Sequence, residues 1–385
     1  GAFMKIVHLC LSCFYIDNFS YQENELVAQN VRDGHDVLVI ASTETYGSDK
    51  KITYLNPGRY IGSDGAEVVR IPYRTFLPQR LMRKLRMHPG VYSLLEEKKP
   101  DVIYFHGLCG WELLTAAKYK KKHPGTRFYI DSHTDFHNSA TSFFAKYILH
   151  NLYYKSIAKL ALNEVEKILC VSLSTIEFAR DFYEIPNGKL EFYPLGGEIL
   201  PTGIYENLRA ETRASLGIQS EERVFLQSGK MDGLKKLVKS LRSFLKIKNP
   251  NCKFLIVGSL QEDIQEEAEK LIAVDSRVTY LGWKSPEDLR SLLCAADIYV
   301  QPGSQSATMQ MSICCNCAVI LDDVASHKPY VHGNGWLVNN SAELDNAFES
   351  ASSIPTHELQ KMSNRSEEIA SELLDYRKLA ARIYR

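Results

Sequence analysis

The stretch Ala296-Asp297-Ile298-Tyr299-Val300-Gln301-Pro302-Gly303-Ser304-Gln305-Ser306-Ala307-Thr308-Met309-Gln310 joins an apolar strand pattern to a helix through a turn of Gly, Ser and Thr. Peptide N–H groups at a helix start lack intrahelical partners and the helix dipole places positive charge there, so such a junction suits a phosphate. An ordinary strand-to-helix loop reads the same way in isolation. The balance shifts with a second, basic turn, Gly229-Lys230-Met231-Asp232-Gly233-Leu234-Lys235-Lys236, directly after the apolar run Val224 to Gln227.

Outward from these turns, short apolar runs alternate with amphipathic stretches. Ile6 to Leu11, Val37 to Ala41, Val102 to Phe105, Phe128 to Ile130 and Ile168 to Val171 form one series. The rhythm restarts at Val224 to Gln227 and continues through Phe254 to Val257, Val278 to Leu281, Ile298 to Gln301 and Val319 to Leu321. Each series is the pattern of a parallel sheet covered by helices, which gives an α/β class with two doubly wound units. Between them, Tyr193-Pro194-Leu195-Gly196-Gly197-Glu198-Ile199-Leu200-Pro201-Thr202-Gly203 is rich in turn formers and sets the expected boundary near Gly197 to Gly203. A long helical pattern after Pro355 is expected to cross back to the first unit. The expected domains are residues 4–198, residues 199–360 and a returning helix over 361–385.

With 385 residues, 45% apolar and 24% charged, the composition suits two globular cores. Lys+Arg 46 balances Asp+Glu 46, so no overall field favours nucleic acid and any anion site must be local. The nine cysteines sit mostly in apolar runs without zinc spacing, which favours buried thiols in a reducing cytoplasm. No apolar run approaches the roughly twenty residues of a spanning helix, and no signal peptide is expected ahead of Lys5. Gly1-Ala2-Phe3 before Met4 reads as an appended stretch. The segment Arg74 to Met87 interleaves basic and apolar side chains, among them Arg80, Arg83, Lys84 and Arg86. That pattern fits either an anionic membrane surface or a solvated helix with one core-facing stripe. Phe143, Phe144, Tyr147, Tyr153 and Tyr154 add an aromatic helix expected nearby.

Tyr129-Ile130-Asp131-Ser132-His133-Thr134-Asp135-Phe136 places a histidine just beyond a strand, between two carboxylates. His106-Gly107 ends the preceding strand pattern in the same way. A lone histidine after a strand is commonly structural, but open α/β sheets bind ligands at these strand ends. His133 and His106 are therefore catalytic candidates, with Asp131 and Asp135 as partners.

Taken together, these residues resemble the retaining glycosyltransferases of the GT-B type, in particular glycosyltransferase family 4. The resemblance covers nearly the whole chain and is strongest from Val224 to Val338. It implies two Rossmann-like domains facing a central cleft, with Gly229, Lys230 and Lys235 on the donor diphosphate. Leu281-Gly282-Trp283 looks like the loop beside the nucleobase, and Ala318-Val319-Ile320 like the Pro-Val-Ile strand after the donor loop. The donor loop itself would then be Gly303, Ser304, Gln305, Ser306, Ala307, Thr308 and Gln310. His133 corresponds to a histidine that contacts the donor sugar and leaving phosphate, oriented by Asp131 or Asp135. Tyr21-Gln22-Glu23-Asn24-Glu25-Leu26 resembles the family's first loop and helix, without its Gly-Gly pair. Asp17, Tyr21, Gln22 and Asn24 become acceptor-side candidates, and capping of that helix by Asn18 or Ser20 is the equal alternative.

The departures are as informative. The family usually carries two glutamates on the donor loop and following helix, and this chain has neither. Met311 stands where the ribose-binding carboxylate would be, and Gln305 or Ser306 where the sugar-binding one would be. Amides and hydroxyls also bond sugar hydroxyls, but more weakly than a carboxylate. The expected activity is retaining transfer from a nucleotide sugar, UDP-linked by resemblance, to a glycan or lipid-linked acceptor in cell-surface polysaccharide or glycolipid synthesis. Neither cofactor nor metal is expected, nor a nucleic-acid partner, and the expected location is cytoplasmic, peripheral on the inner face of the membrane. A sugar-nucleotide epimerase of the same fold and a nucleotide-binding partner without transferase activity are the alternatives.

Overall fold

The computed structural model describes residues 2–47, 49–133, 148–303 and 306–385. It divides into two compact units, Gly1–Pro194 with Tyr376–Arg385, and Leu195–Asp375.

The first unit is built on an eight-stranded sheet. Its strands in chain order are β1 (Lys5–Cys10), β2 (Asp36–Ser42), β5 (Gly58–Ile61), β6 (Glu67–Ile71), β7 (Val102–His106), β8 (Arg127–Ser132), β9 (Lys167–Cys170) and β10 (Leu190–Phe192), with a separate hairpin of β3 (Glu44–Tyr46) and β4 (Ile52–Tyr54). The spatial order is β10-β9-β8-β7-β1-β2-β6-β5, parallel except where β5 runs antiparallel to β6. Strands β1 and β7 are buried almost throughout because helices cover both faces, and such strands read as continuous apolar runs. One face is covered by the helix Gln22–Arg32 and the chain's final segment, where Leu26, Leu379, Ala380 and Ile383 pack with Ile6, Tyr104 and Tyr193. Tyr21 takes the N-cap position of the helix Gln22–Arg32, so neither Asn18 nor Ser20 caps it.

The second unit has six parallel strands, β11 (Arg223–Met231), β12 (Cys252–Leu260), β13 (Val278–Gly282), β14 (Ile298–Gln301), β15 (Ala318–Asp322) and β16 (Gly335–Val338), in the order β13-β12-β11-β14-β15-β16. That is the doubly wound order with its topological switch between β11 and β14. Phe225, Phe244, Phe254 and Phe348 form the centre of its core. Asp297, from the diagnostic stretch, accepts from the Val224 N–H at 2.8 Å and from Arg209 at 2.6 Å, pinning the helix Thr202–Ser215 to the start of β11 and β14.

The division between units falls at Pro194 and Leu195 rather than at Gly197 to Gly203. The Gly197 N–H bonds the Leu374 carbonyl at 2.9 Å, which holds this segment in the second unit. The returning segment is also shorter than residues 361–385. Residues 361–375 stay with the second unit, where Ser366 donates to the Cys317 carbonyl and accepts from Asn334, and only Tyr376–Arg385 belong to the first. All nine cysteines are free thiols, and all but Cys13 are buried. Among the described residues, no helix is long and apolar enough to cross a membrane.

Candidate functional site

The carboxyl ends of β11 and β14 meet at the switch point of the second unit. Gly229 has a φ of 143°, a conformation that L side chains rarely adopt, and Lys235 folds back over it. A Cβ placed on Gly229 would lie 3.2 Å from Lys235 Cε. Gly303, at the end of β14, is packed so closely on the same turn that a Cβ there would overlap the Leu234 carbonyl oxygen. Gln227 Nε2 donates to the Lys235 carbonyl at 2.9 Å and Asp232 caps the turn through the Leu234 and Lys235 N–H groups. The structure therefore brings Gly229, Lys235 and Gly303 together. Lys235 is half-buried, and desolvation lowers its pKa while Asp232 partly restores it. Lys230 follows Gly229 and is exposed.

The remaining donor-loop candidates divide. Ser304 and Gln305 lie outside the described residues. The Ser306 hydroxyl donates to Gln301 Oε1 at 2.9 Å, so its hydrogen is spent within the protein and the side chain can only accept from a ligand. Ala307 occupies the N-cap position of the helix Thr308–Cys314, without a side-chain cap. Seven residues make a small dipole, so this helix start offers a weaker field to an anion than the sequence suggests. Gln310 stands on the same helix, half-buried. Trp283 is 75% exposed at the end of β13, two strands away from β11, and the structure does not bring it to the Lys235 turn.

In the first unit the strand ends carry a chain of polar side chains. His106 and Asp131 are register partners on β7 and β8, and His8 of β1 is paired with Tyr104 two residues before His106. His106 Nδ1 lies 2.9 Å from Asp131 Oδ2, His106 Nε2 lies 2.9 Å from His8 Nδ1, and the Gly107 N–H donates to Asp131 Oδ1 at 2.9 Å. His133 Nε2 stands 3.4 Å from the same Asp131 oxygen, and its side chain is 41% exposed. Asp135 lies outside the described residues. Burial opposes charge on Asp131, but His106 and then His133 overcome it and hold the carboxyl well below the usual range. Burial likewise opposes charge on His106, yet the facing Cys10 and the Asp131 carboxylate raise it to about 9. Burial and the charged His106 push His8 down to about 3. His133 is raised, against desolvation, by Asp131.

His106 is 1% exposed and cannot touch a substrate, which corrects its place among the catalytic candidates. It lies behind Asp131, with Nδ1 on the carboxylate. His8 was not legible as part of the site, although a histidine inside Lys5-Ile6-Val7-His8-Leu9-Cys10 is a polar residue in an otherwise apolar strand and was the available signal.

Among the acceptor-side candidates, Asp17 and Asn24 line one cavity of about 490 Å³ together with Phe19, Tyr60 and Asp64. Tyr60 donates to Asp17 at 2.8 Å and buried Arg70 pairs with it at 3.3 Å. Gln22 is committed elsewhere: its Nε2 donates to the Pro194 carbonyl at 3.2 Å and its Oε1 accepts from Tyr376 at 2.9 Å, so it ties the unit together. Tyr21 is exposed and outside this cavity. Two basic candidates for a membrane surface are also committed elsewhere. Arg83 pairs with Glu44 at 2.8 Å, and Arg86 donates to the Ser12 carbonyl at 2.9 Å beneath the Tyr154 ring. Arg80 and Lys84 remain exposed beside Phe76, Leu77 and Leu81. Tyr153 and Tyr154 donate to the Leu85 and Lys84 carbonyls, which places their helix against this segment, while Phe143, Phe144 and Tyr147 lie outside the described residues.

Residues 24–196 match the model of Glycosyltransferase Family 4, and residues 222–352 that of Glycosyl transferases group 1. No curated protein matches the chain in sequence. Among solved structures, Anabaena HepE in complex with UDP is similar at a TM-score of 0.65 and 16% identity, over 99% of this chain and 98% of that one. A glycosyltransferase from Rickettsia africae is similar at a TM-score of 0.64 and 13% identity, over 99% and 96%. Sucrose-phosphate synthase from Thermosynechococcus elongatus is similar at 0.64 and 14%, over 99% and 97%. At these identities the likeness is one of fold, and the fold is GT-B. With a Glycosyltransferase Family 4 domain leading and a Glycosyl transferases group 1 domain following in that fold, the chain belongs to the GT-B glycosyltransferases.

Proposed function

We propose that this protein transfers a sugar from a UDP-sugar to a glycan or lipid-linked acceptor with retention of configuration. The observation that carries the reading is Lys235 folded over Gly229 beside Gly303 at the switch point of the second unit. A cation presented over a close-packed turn of main chain suits a diphosphate, and partial desolvation strengthens its attraction. Lys235 and Lys230 would neutralise charge as the diphosphate departs. The UDP and UDP-glucose named with HepE structures support the choice of uridine donor.

Residues 298–303 and 306–317 offer no carboxylate to attack the sugar. Retention then follows if the leaving phosphate takes the acceptor's proton, and the protein's task is to position and to stabilise charge. His133, turned with Nε2 toward Asp131, is the residue assigned to the leaving phosphate and donor sugar. Asp17 and Asn24 are assigned to the acceptor side. Arg80 and Lys84 with Phe76, Leu77 and Leu81 would hold the enzyme at an anionic inner membrane face, each cation contributing about 1 kcal/mol at most.

Labelled UDP-sugars incubated with and without lipid extract test the reading. Product that requires the extract supports transfer. Epimerised nucleotide sugar without extract identifies an epimerase, and binding of UDP with no turnover identifies a non-catalytic nucleotide-binding protein. His133→Ala is expected to lower turnover by about 10²-fold while UDP affinity stays within about twofold.

A further inference from the structure

We propose that Tyr384, Asn30, His8 and His106 form a buried proton-ordering chain that positions His133 through Asp131, making Tyr384 part of the transfer machinery. The inference rests on the role just given to His133 and extends it to residues that touch no substrate.

The directions of the hydrogen bonds carry it. The Tyr384 hydroxyl donates to Asp33 Oδ2 at 2.7 Å and accepts from Asn30 Nδ2 at 2.9 Å. A hydroxyl whose hydrogen is spent on a carboxylate can only accept from the amide, so Asn30 is held with Nδ2 toward Tyr384 and Oδ1 toward His8. His8 Nε2 lies 2.6 Å from that Oδ1, and an amide oxygen only accepts, so Nε2 carries a hydrogen. A neutral His8 must then accept at Nδ1, and the group facing it is His106 Nε2. That nitrogen therefore carries a hydrogen too. On the other side of the ring, His106 Nδ1 faces the Asp131 carboxylate and carries the second. Both His106 nitrogens are then protonated, Nε2 through the orientation of Asn30 and Nδ1 through the Asp131 carboxylate. A cationic His106 keeps Asp131 ionised, and an ionised Asp131 accepts from Nε2 of His133 and sets the orientation of that ring.

Among the described residues, the cations facing Asp131 are the two histidines His106 and His133. Among the described residues, the titratable groups facing His106 and Asp131 are His8 and Cys10 of β1, Cys13 after it, Glu23 of the helix Gln22–Arg32, Tyr104 of β7, Cys170 of β9, Tyr193 and His133. Tyr104, fully buried, stacks on His8 and packs tilted against His106. Arg127 donates to the Tyr384 carbonyl at 2.8 Å, which fixes the residue that starts the chain of hydrogen bonds.

The full-length protein labelled with nitrogen-15 in its histidines tests the proposal, read alongside the pH dependence of kcat. From pH 6 to 8 the His106 ring is expected to be doubly protonated and the His8 ring neutral with its hydrogen on Nε2. Tyr384→Phe frees the Asn30 amide to turn and is expected to lower the His106 pKa and move the basic limb of kcat down by about one pH unit, a tenfold change in protonated fraction. Asp33→Asn, an exposed substitution that leaves the core untouched, is expected to shift both in the same direction by less. A His106 ring that titrates near 6.5 in the unaltered protein overturns the proposal. So does a His106 signal unmoved by both substitutions. The spectra decide these points even if no UDP-sugar is turned over, so failure of the transferase reading is distinguishable from failure of the chain.

Discussion

At Lys235 the two requirements of the proposed leaving-group site meet in one side chain. It is close enough to bare main chain for a phosphate to be shared between ammonium and N–H groups, and half-buried, so that its charge is poorly screened. Lys235→Met keeps the length and apolar stem and removes the charge. The expected cost is about 2 to 4 kcal/mol in transition-state binding, read as kcat/KM, with a parallel loss of UDP affinity. Unchanged UDP affinity would move the diphosphate elsewhere. The histidines make a second residue-scale statement, about stability. His106 keeps its proton up to about 9, so against an unfolded histidine near 6.5 it adds stability that is complete below about pH 6.5 and lost as pH rises through 9. His133, also raised, has the same sign. His8 and His88, both buried and lowered to about 3, have the opposite one: below about pH 6.5 the unfolded chain takes protons that the fold refuses, and stability falls toward pH 3. Urea unfolding across pH 4 to 10 is therefore expected to show greatest stability near pH 6.5, with limbs of at most about 1.4 kcal/mol per pH unit for each group. A stability that climbs steadily from pH 6.5 to 9 would mean that His106 is not a cation in the fold.

Among the elements, the turn after β11 and the end of β14 are one packed object. Because a Cβ at Gly303 would overlap the Leu234 carbonyl, Gly303→Ala must displace backbone rather than a flexible side chain. We expect about 1 to 3 kcal/mol of destabilisation together with weaker UDP binding, since the displaced turn carries Lys235; calorimetric titration and urea melts on the same variant check both. A loss of stability with intact UDP binding would uncouple the turn from the donor site. The central strands of both sheets were legible because helices bury both their faces, which forces unbroken apolar runs such as Val102 to Phe105 and Val319 to Leu321. The edge strand Gly58–Ile61 and the short strand Leu190–Phe192 were not, because exposed or half-buried edges need no apolar run. The same limit governs the site. Gly229, Lys235 and Gly303 were readable from turn chemistry, and Asp131 with His133 from a strand end. His8, Asn30 and Tyr384 join that site only through the sheet order and the return of the chain terminus, and sequence spacing carries neither.

For the molecule as a whole, the first unit is completed by the last residues of the chain. Leu379 and Ile383 are buried against Ile6, Leu26 and Tyr193, and Tyr193 donates to the Leu379 carbonyl while Arg382 donates to that of Phe192. Burying two such side chains contributes about 3 to 6 kcal/mol, comparable to the whole net stability of a domain. The second unit has no such debt: it spans Leu195–Asp375 without interruption. A chain ending at Asp375 should therefore lose amide protection across β1, β7 and β8, where the uncovered face lies, while β11, β12 and β14 stay protected. Hydrogen exchange followed by mass spectrometry reads the two units separately in one sample. Equal loss in both would show that they unfold as one cooperative body, and protection retained in β1 and β7 would show that the terminal segment covers the sheet without stabilising it. The expected, one-sided result also sets an order on synthesis. The second unit can finish folding as soon as it is made, whereas the first, though made earlier, must wait for Tyr376–Arg385 before its sheet face is covered and Tyr384 reaches Asn30.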